Sequence, residues 1–319
     1  MGIVRGVDDY LIFAGSASRR LGEAIAAELG TRLGDSEVIR FSEGNLFVRV
    51  LETVRGRHAF IVQSVAHPAN DNFVELLFWI DALKRASAES VTVVMPYFSY
   101  AKGDKQDEPR VSIRARVCAD AIEAAGADRV VALDLHAPQL QGFFKVPVDD
   151  LRAMPVLCRA VAEREWDDDL VVVSPDAGFA KKARAWATHL GASRAIVDKI
   201  RSDHSERPAA AELIGTVEGK DVLIVDDFTV SAGTLVEAAR VVKERGAGRV
   251  YAAVTHCLLT AEANRRLDAS PIEKLLVTDS VETQPDPPSH KVEVVSVASL
   301  FAEAIRRIRH KESISALFE

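Results

Sequence analysis

Cysteine is nearly missing from this chain, with three in 319 residues. Cys118, Cys158 and Cys257 stand far apart, in none of the short spacings that bind zinc and too few to staple a fold, so buried free thiols in a reducing compartment are expected. Clustered positive charge is missing too. The 40 Lys and Arg are scattered and outnumbered by 47 Asp and Glu, a formal net charge of -7. A nucleic-acid surface needs concentrated cations, so that partner is excluded. No apolar run approaches the roughly 20 residues of a spanning helix, which excludes a membrane partner. Asp8 and Asp9 beside a very short apolar stretch do not read as a signal peptide, and a cytoplasmic location is expected. No Gly-x-Gly-x-x-Gly follows an early strand, which argues against a dinucleotide-dependent dehydrogenase.

What the chain does have is an alternation of short β-branched runs with helical stripes, the pattern of α/β domains with parallel sheets. Strands are expected at Leu11 to Phe13, Phe60 to Val62, Val91 to Met95 and Val130 to Leu135. Others are expected at Val171 to Val173, Ala195 to Val197, Val222 to Val225 and Val250 to Val254. Leu21, Ile25, Leu29 and Leu33 make one helical stripe, and helices are expected near 72–85 and 113–125. An internal echo suggests duplication. Gly126-Ala-Asp-Arg-Val130 ahead of His136 returns 120 residues later as Gly246-Ala-Gly-Arg-Val250 ahead of His256. Only the first copy has an acid two residues before its histidine, at Asp134, so the two need not share chemistry. Two related domains follow, 1–155 and 156–298, with a closing helix at 299–319 expected to pack back on the first.

The ten residues Val225 to Thr234, Val-Asp-Asp-Phe-Thr-Val-Ser-Ala-Gly-Thr, carry the most chemistry. An apolar run, Val222 to Val225, leads in, and Leu235, Ala238, Ala239 and Val242 recur behind at helical spacing, with Gly246 where a C-terminal cap belongs. The segment therefore joins the carboxyl end of a strand to the amino end of a helix, where open α/β sheets bind ligands. Ser231, Ala232 and Gly233 are small enough for backbone N–H groups to approach a phosphate, and Ser231 and Thr234 add hydroxyls. Small residues alone would equally suit an ordinary capped turn. Asp226 and Asp227 directly before them, able to accept from sugar hydroxyls or to lie near a metal, favour a sugar-phosphate site.

Several further segments, in order, resemble ribose-phosphate pyrophosphokinase: Met95-Pro-Tyr-Phe-Ser-Tyr-Ala101, Leu133-Asp-Leu-His-Ala-Pro-Gln-Leu-Gln-Gly-Phe-Phe144, Val172-Val-Ser-Pro-Asp-Ala-Gly178, and the loop above. Ser64 to Leu83 and Ala302 to Phe318 extend the likeness over nearly the whole chain. The resemblance implies two phosphoribosyltransferase-type domains and transfer of the β,γ-diphosphoryl group of Mg-ATP, or another nucleoside triphosphate, to the anomeric hydroxyl of ribose 5-phosphate. It implies His136 and Asp176 as magnesium ligands, Asp226 and Asp227 at the ribose hydroxyls, and Ser231, Ala232, Gly233 and Thr234 around the 5-phosphate. It implies Lys199 and Arg201 as the catalytic cations of a loop whose polar sequence, 202–208, suits mobility. Phe41, Glu43, Asn45, Lys102, Gly103, Asp104, Lys105 and Arg110 are implied as nucleotide-binding, with Phe41 available to stack on the base. A homo-oligomer of dimers, grouped as a hexamer, is implied as well. Taken without these neighbours, His136 reads as a hydrogen-bonded histidine at a strand end, and Lys199 and Arg201 as solvated loop cations.

The departures from the family pattern are specific. Val230 stands where an Asp is usual and Ser231 where a Thr is usual, so a carboxylate is lost and a hydroxyl kept. Lys102-Gly103 replaces Arg-Gln, exchanging a planar fork for a point charge. Asn45 replaces a Glu, which adds a donor where the family has only acceptors. Three alternatives stay open at this point: a non-catalytic regulatory relative that binds nucleotide without turnover, a phosphoribosyltransferase that consumes the diphosphate, and a synthetase with altered nucleotide or sugar-phosphate specificity. The Met95 and Leu133 motifs argue against the second.

Overall fold

The computed structural model describes residues 9–166, 169–199, 211–282 and 289–317, with Lys199 and Ala211 as backbone only. They gather into two compact units, one from Met1–Arg152, Ser280–Thr283 and Val297–Glu319, the other from Ala153–Asp279 and Gln284–Ser296.

The first unit runs β1 (Tyr10–Ala14), α1 (Arg19–Glu28), β2 (Ser36–Arg40), β3 (Leu46–Val50), β4 (His58–Val62), α2 (Ala69–Arg85), β5 (Ser90–Met95), α3 (Arg114–Ala125), β6 (Arg129–Leu133) and β7 (Val148–Leu151). Five strands form a parallel sheet in the order β1-β4-β5-β6-β7. Their unbroken apolar runs are what a sheet covered on both faces requires. Val91, Val93 and Val94 are all fully buried. Leu76, Trp79, Ile80 and Leu83 put one stripe of α2 into the same core, each burial stabilising by roughly 1.5–3 kcal/mol. β2 and β3 form a separate antiparallel hairpin that the periodicity did not announce.

The second unit continues with α4 (Met154–Ala162), β8 (Leu170–Ser174), α5 (Ala180–Leu190), β9 (Ser193–Lys199), β10 (Ala211–Ile214), β11 (Asp221–Thr229), α6 (Gly233–Glu244), β12 (Val250–Cys257), α7 (Ala261–Asp268), β13 (Lys274–Thr278) and β14 (Val292–Val295). The seven-stranded sheet is ordered β10-β9-β8-β11-β12-β13-β14. Only β10, against β9, is antiparallel. The final helix, α8 (Ala298–His310), belongs to the first unit and packs on α1, burying Phe301, Ala304 and Ile305.

Three details differ from the sequence reading. The stripe through Leu33 is cut short: α1 ends at Glu28, Gly30 turns left-handed at φ +69°, and Leu33 instead bridges Ile12 beside β1. β6 stops at Leu133, not Leu135, because Asp134 takes φ +44°. β11 runs on to Thr229, so the acid pair lies in the strand rather than after it. The echo holds in placement, since β6 lies between β5 and β7 as β12 lies between β11 and β13. Its histidines differ, however: His136 is exposed beyond β6, whereas His256 is inside β12 and buried. All three cysteines are buried and free, and burial pushes Cys118 up to about 11 and Cys158 and Cys257 up to about 12. Among the described residues no helix is long and apolar enough to cross a membrane.

Candidate active site

The second unit places its chemistry at the carboxyl end of β11. The ladder to β8 stops at Ile224↔Val173, while the ladder to β12 continues to Thr229↔Cys257. Asp226 to Thr229 therefore run past the end of β8, and the loop from β8 into α5 carries Asp176 beside the opening. Sheets of this kind bind ligands in such a crevice.

Asp176 is set by two local bonds. Its Oδ1 accepts the Phe179 amide at 2.9 Å, and its carbonyl accepts the Ser174 hydroxyl at 2.7 Å. In the first turn of α5, Lys182 reaches back so that Nζ donates to Asp227 Oδ2 at 3.2 Å, with the ammonium 5.4 Å from the Phe179 ring centre. Asp226 accepts the Asp227 amide at 2.8 Å. Burial first, and then the charge of Asp227, push the Asp226 carboxyl up to about 8. Losing water penalises the anion, and a second anion alongside adds to the penalty. The crevice thus has one acid held beside a cation and one that favours its proton.

Beyond the acids, Val230 and Ser231 are exposed and Ala232 takes φ +55° as the residue that opens α6. The Gly233 amide donates to Ser231 Oγ at 3.3 Å. A side chain on Gly233 would meet Ser231 Oγ at 3.3 Å and Arg266 Nη1 at 3.4 Å, tighter than most such contacts. Arg266, from α7, donates to the Ser231 carbonyl at 3.1 Å. The amide-rich start of α6 and a guanidinium therefore meet on Ser231 to Thr234, a positive cradle for an anion.

In the first unit, Phe41, Glu43 and Asn45 form the tip of the β2–β3 hairpin. The Phe41 amide donates to the Asn45 carbonyl at 2.9 Å, and Asn45 Nδ2 donates to Glu43 Oε1 at 3.1 Å. Phe41 is 43% exposed and meets Phe47 edge-on. Lys102 ends a 3-10 turn, and Gly103 follows where any Cβ would fall 2.6 Å from Arg114 Nε. Asp104 accepts from Gln139 Nε2 at 3.1 Å, which ties the 102–105 segment to the turn that carries His136. Lys105 and Arg110 are exposed, Arg110 at φ +66°.

The structure thus brings Asp176, Asp226, Asp227 and Ser231 to Thr234 into one region of the second unit. In the first unit it brings Asp104 to the His136 turn, with the hairpin tip as a separate feature. Lys199 is the last residue of β9, and Arg201 lies outside the described residues. Lys182, Arg266 and Gln139 were not singled out from sequence. Lys182 alone had a readable signal, six residues after Asp176 in the next helical turn.

Comparison with known proteins agrees over both units. A description of the N-terminal domain of ribose phosphate pyrophosphokinase matches residues 10–126, and one of the phosphoribosyl synthetase-associated domain matches residues 199–319. Ribose-phosphate pyrophosphokinase of Listeria ivanovii is 46% identical over 97% of this chain and 96% of its own length. Its namesake in Caldanaerobacter subterraneus subsp. tengcongensis is 45% identical over 99% of this chain and 100% of its own. The crystal structure of phosphoribosylpyrophosphate synthetase from Mycobacterium smegmatis matches with a TM-score of 0.88 at 38% identity, covering 95% of this chain and 99% of that one.

Proposed function

The chain belongs to the ribose-phosphate pyrophosphokinase family, and from that premise we infer how its residues divide the work. The protein is an enzyme that transfers the β,γ-diphosphoryl group of a nucleoside triphosphate to the anomeric oxygen of ribose 5-phosphate. The oxygen–β-phosphorus bond forms, the bridge between α and β phosphorus breaks with its oxygen leaving on the nucleoside monophosphate, and the anomeric proton is released. ATP is the donor we propose.

The observation that carries this reading is the crevice at the end of β11: two acids of unlike state, Lys182 beside one of them, and the amide-rich Ser231 to Thr234 turn. Asp226 and Asp227 bind the ribose hydroxyls, with Asp227 accepting hydrogen bonds. The Ser231 to Thr234 amides and the positive end of α6 bind the 5-phosphate. Lys199 and Arg201 neutralise charge that grows on the transferred group, the main task in phosphoryl transfer. Phe41, Glu43, Asn45, Lys102, Gly103, Asp104, Lys105 and Arg110 bind the nucleotide. The exposed Phe41 tip suits a base on a neighbouring subunit, which supports a homo-oligomer; its build from dimers into a hexamer is what the family resemblance implies. The location we propose is the cytoplasm.

The residues assigned to magnesium are His136 and Asp176. Among the described residues no three His, Cys, Asp or Glu side chains group to hold a metal. One imidazole nitrogen and one carboxylate would leave the other positions of a magnesium ion to water and to the polyphosphate, as that ion prefers. Magnesium held by His136 and Asp176 would offset the charge of the polyphosphate; the chain's own part is to hold the two reactants in line.

Phosphorus NMR with magnesium, ribose 5-phosphate and ATP, GTP, CTP or UTP in turn tests the reading. A sugar 1-diphosphate and a nucleoside monophosphate are expected, with ATP as the best donor. Silence from folded protein with all four would overturn turnover and leave a regulatory subunit.

A further inference from the structure

The chain treats its two matching histidines in opposite ways. β12 stays a strand through His256, which faces Phe228 across the ladder and is 4% exposed. β6 ends at Leu133 and releases His136 to the surface three residues on. Asp134 in the first copy is Val254 in the second. The left-handed φ of +44° at Asp134 is tolerated by Asp and strongly disfavoured for a β-branched valine.

Asp134 alone would not hold that conformation, because sparsely populated backbone states persist only where surrounding structure over-determines them. Here it does. The Asp134 amide donates to the Leu151 carbonyl at 2.9 Å, so the chain is still paired to β7 as it turns. The next amide, of Leu135, donates to Asp150 Oδ1 at 2.9 Å, and Asp150 is 2% exposed. Arg152 joins the two carboxylates: its Nη1 lies 3.4 Å from Asp134 Oδ1 and its Nη2 lies 3.1 Å from Asp150 Oδ2. A guanidinium suits this post because its planar fork can serve two acids from one rigid group. Without it, Asp150 would be a buried anion stripped of its countercharge and would hold the Leu135 amide poorly.

We propose that Asp134, Asp150 and Arg152 form a brace that bends the chain out of β6 and delivers the His136 imidazole to the metal–nucleotide complex, with Arg152 as a positioning residue. The inference rests on His136 meeting that complex. It assigns no chemistry to Arg152, which acts through the Leu135 amide and the Asp134 turn.

The test uses the full chain, with the manganese complex of ATP as probe and no sugar phosphate, so that nothing turns over. The imidazole NMR signals of His136, identified by their loss in His136→Gln, are followed as the probe is added. In the parent these signals should broaden at low probe concentration. Arg152→Met should need roughly tenfold more probe, the scale on which removing a group that supports a metal ligand acts. Arg152→Lys should recover part of the difference. In the Asp134→Gly background the loss from Arg152→Met should shrink, because glycine enters the left-handed turn without a carboxylate to anchor it. Near-ultraviolet circular dichroism checks each fold, and if Arg152→Met does not fold, Arg152→Lys measured in both backgrounds decides. An Arg152→Met response equal to the parent's overturns the brace. No broadening in the parent overturns the role of His136 itself, a different failure that the parent alone reveals.

Discussion

Lys182 Nζ stands 3.2 Å from Asp227 Oδ2, while the carboxylate of Asp226, its neighbour on the strand, accepts the Asp227 amide at 2.8 Å. The two acids of β11 therefore do different work from the same strand end. One presents a charge balanced by an ammonium, and the other tends to keep its proton. A sugar diol needs acceptors and profits from a donor, and such a pair can supply both.

The first prediction concerns Asp226 and pH. Folding raises its pKa from 3.8 to about 8, so between those values the folded chain holds a proton that the unfolded chain has released. Its contribution to stability is full below about pH 4, declines through the window and is lost as pH passes 8. Asp226→Asn should therefore be more stable than the parent at pH 9, by on the order of 1–3 kcal/mol, with a much smaller gap near pH 4. The same change should weaken ribose 5-phosphate binding. Urea midpoints across pH check this, and a gap that stays constant with pH would remove the burial argument.

Lys182→Met should raise KM for ribose 5-phosphate about tenfold, the lower end of what losing a charge-assisted hydrogen bond costs, and change kcat less. The methionine keeps contact with the Phe179 ring but leaves Asp227 without its cation. Steady-state kinetics at saturating nucleotide give the split. A fall in kcat with KM untouched would instead put Lys182 in the transferring step.

Lys199→Ala should lower kcat by about 10²–10³ and leave nucleotide affinity within a few-fold, the pattern of a contact made mainly in the transition state. Isothermal calorimetry with a non-hydrolysable triphosphate, set beside turnover, separates the two. Turnover equal to the parent's would remove this residue from the mechanism.

Much of this arrangement was legible in the sequence because it rests on local rules. Val222 to Val225, the acids, the small turn and the stripe from Leu235 to Val242 all lie within one strand–turn–helix unit, where periodicity and residue size decide the outcome. The family motifs pointed to His136 and Asp176 as well, and their metal role stays part of the proposal. What escaped reading depends on partners distant in sequence. Lys182 meets Asp227 across 45 residues and Arg266 meets Ser231 across 35. The β2–β3 hairpin hid because its residues are only half-buried and show no clean alternation. Leu33 misled for a local reason, since its spacing continued the α1 stripe while Gly30 had already ended the helix.

Val230 is the sharpest departure from the family pattern, and its setting makes the remedy a clean experiment. The residue lies between the end of β11 and Ser231 and is 40% exposed, so Val230→Asp removes little packing and should shift stability by no more than about 0.5 kcal/mol. The added carboxylate would stand beside the Ser231 to Thr234 turn, able to accept from a ribose hydroxyl or from water held there. It would also add a third negative charge near Asp226 and Asp227, close to an anionic substrate. For ribose 5-phosphate the hydrogen-bonding gain should win, because the carboxylate lies at the solvent side of the turn, where water screens repulsion strongly. The expected result is a several-fold rise in kcat/KM with ribose 5-phosphate, on the scale of one surface-accessible hydrogen bond. Assays with ribose 5-phosphate and with other pentose phosphates, parent against variant, decide it. A fall with ribose 5-phosphate, together with a larger fall for a different pentose phosphate that the parent prefers, would mean the turn has been refitted around that other sugar and that Val230 is part of the fit.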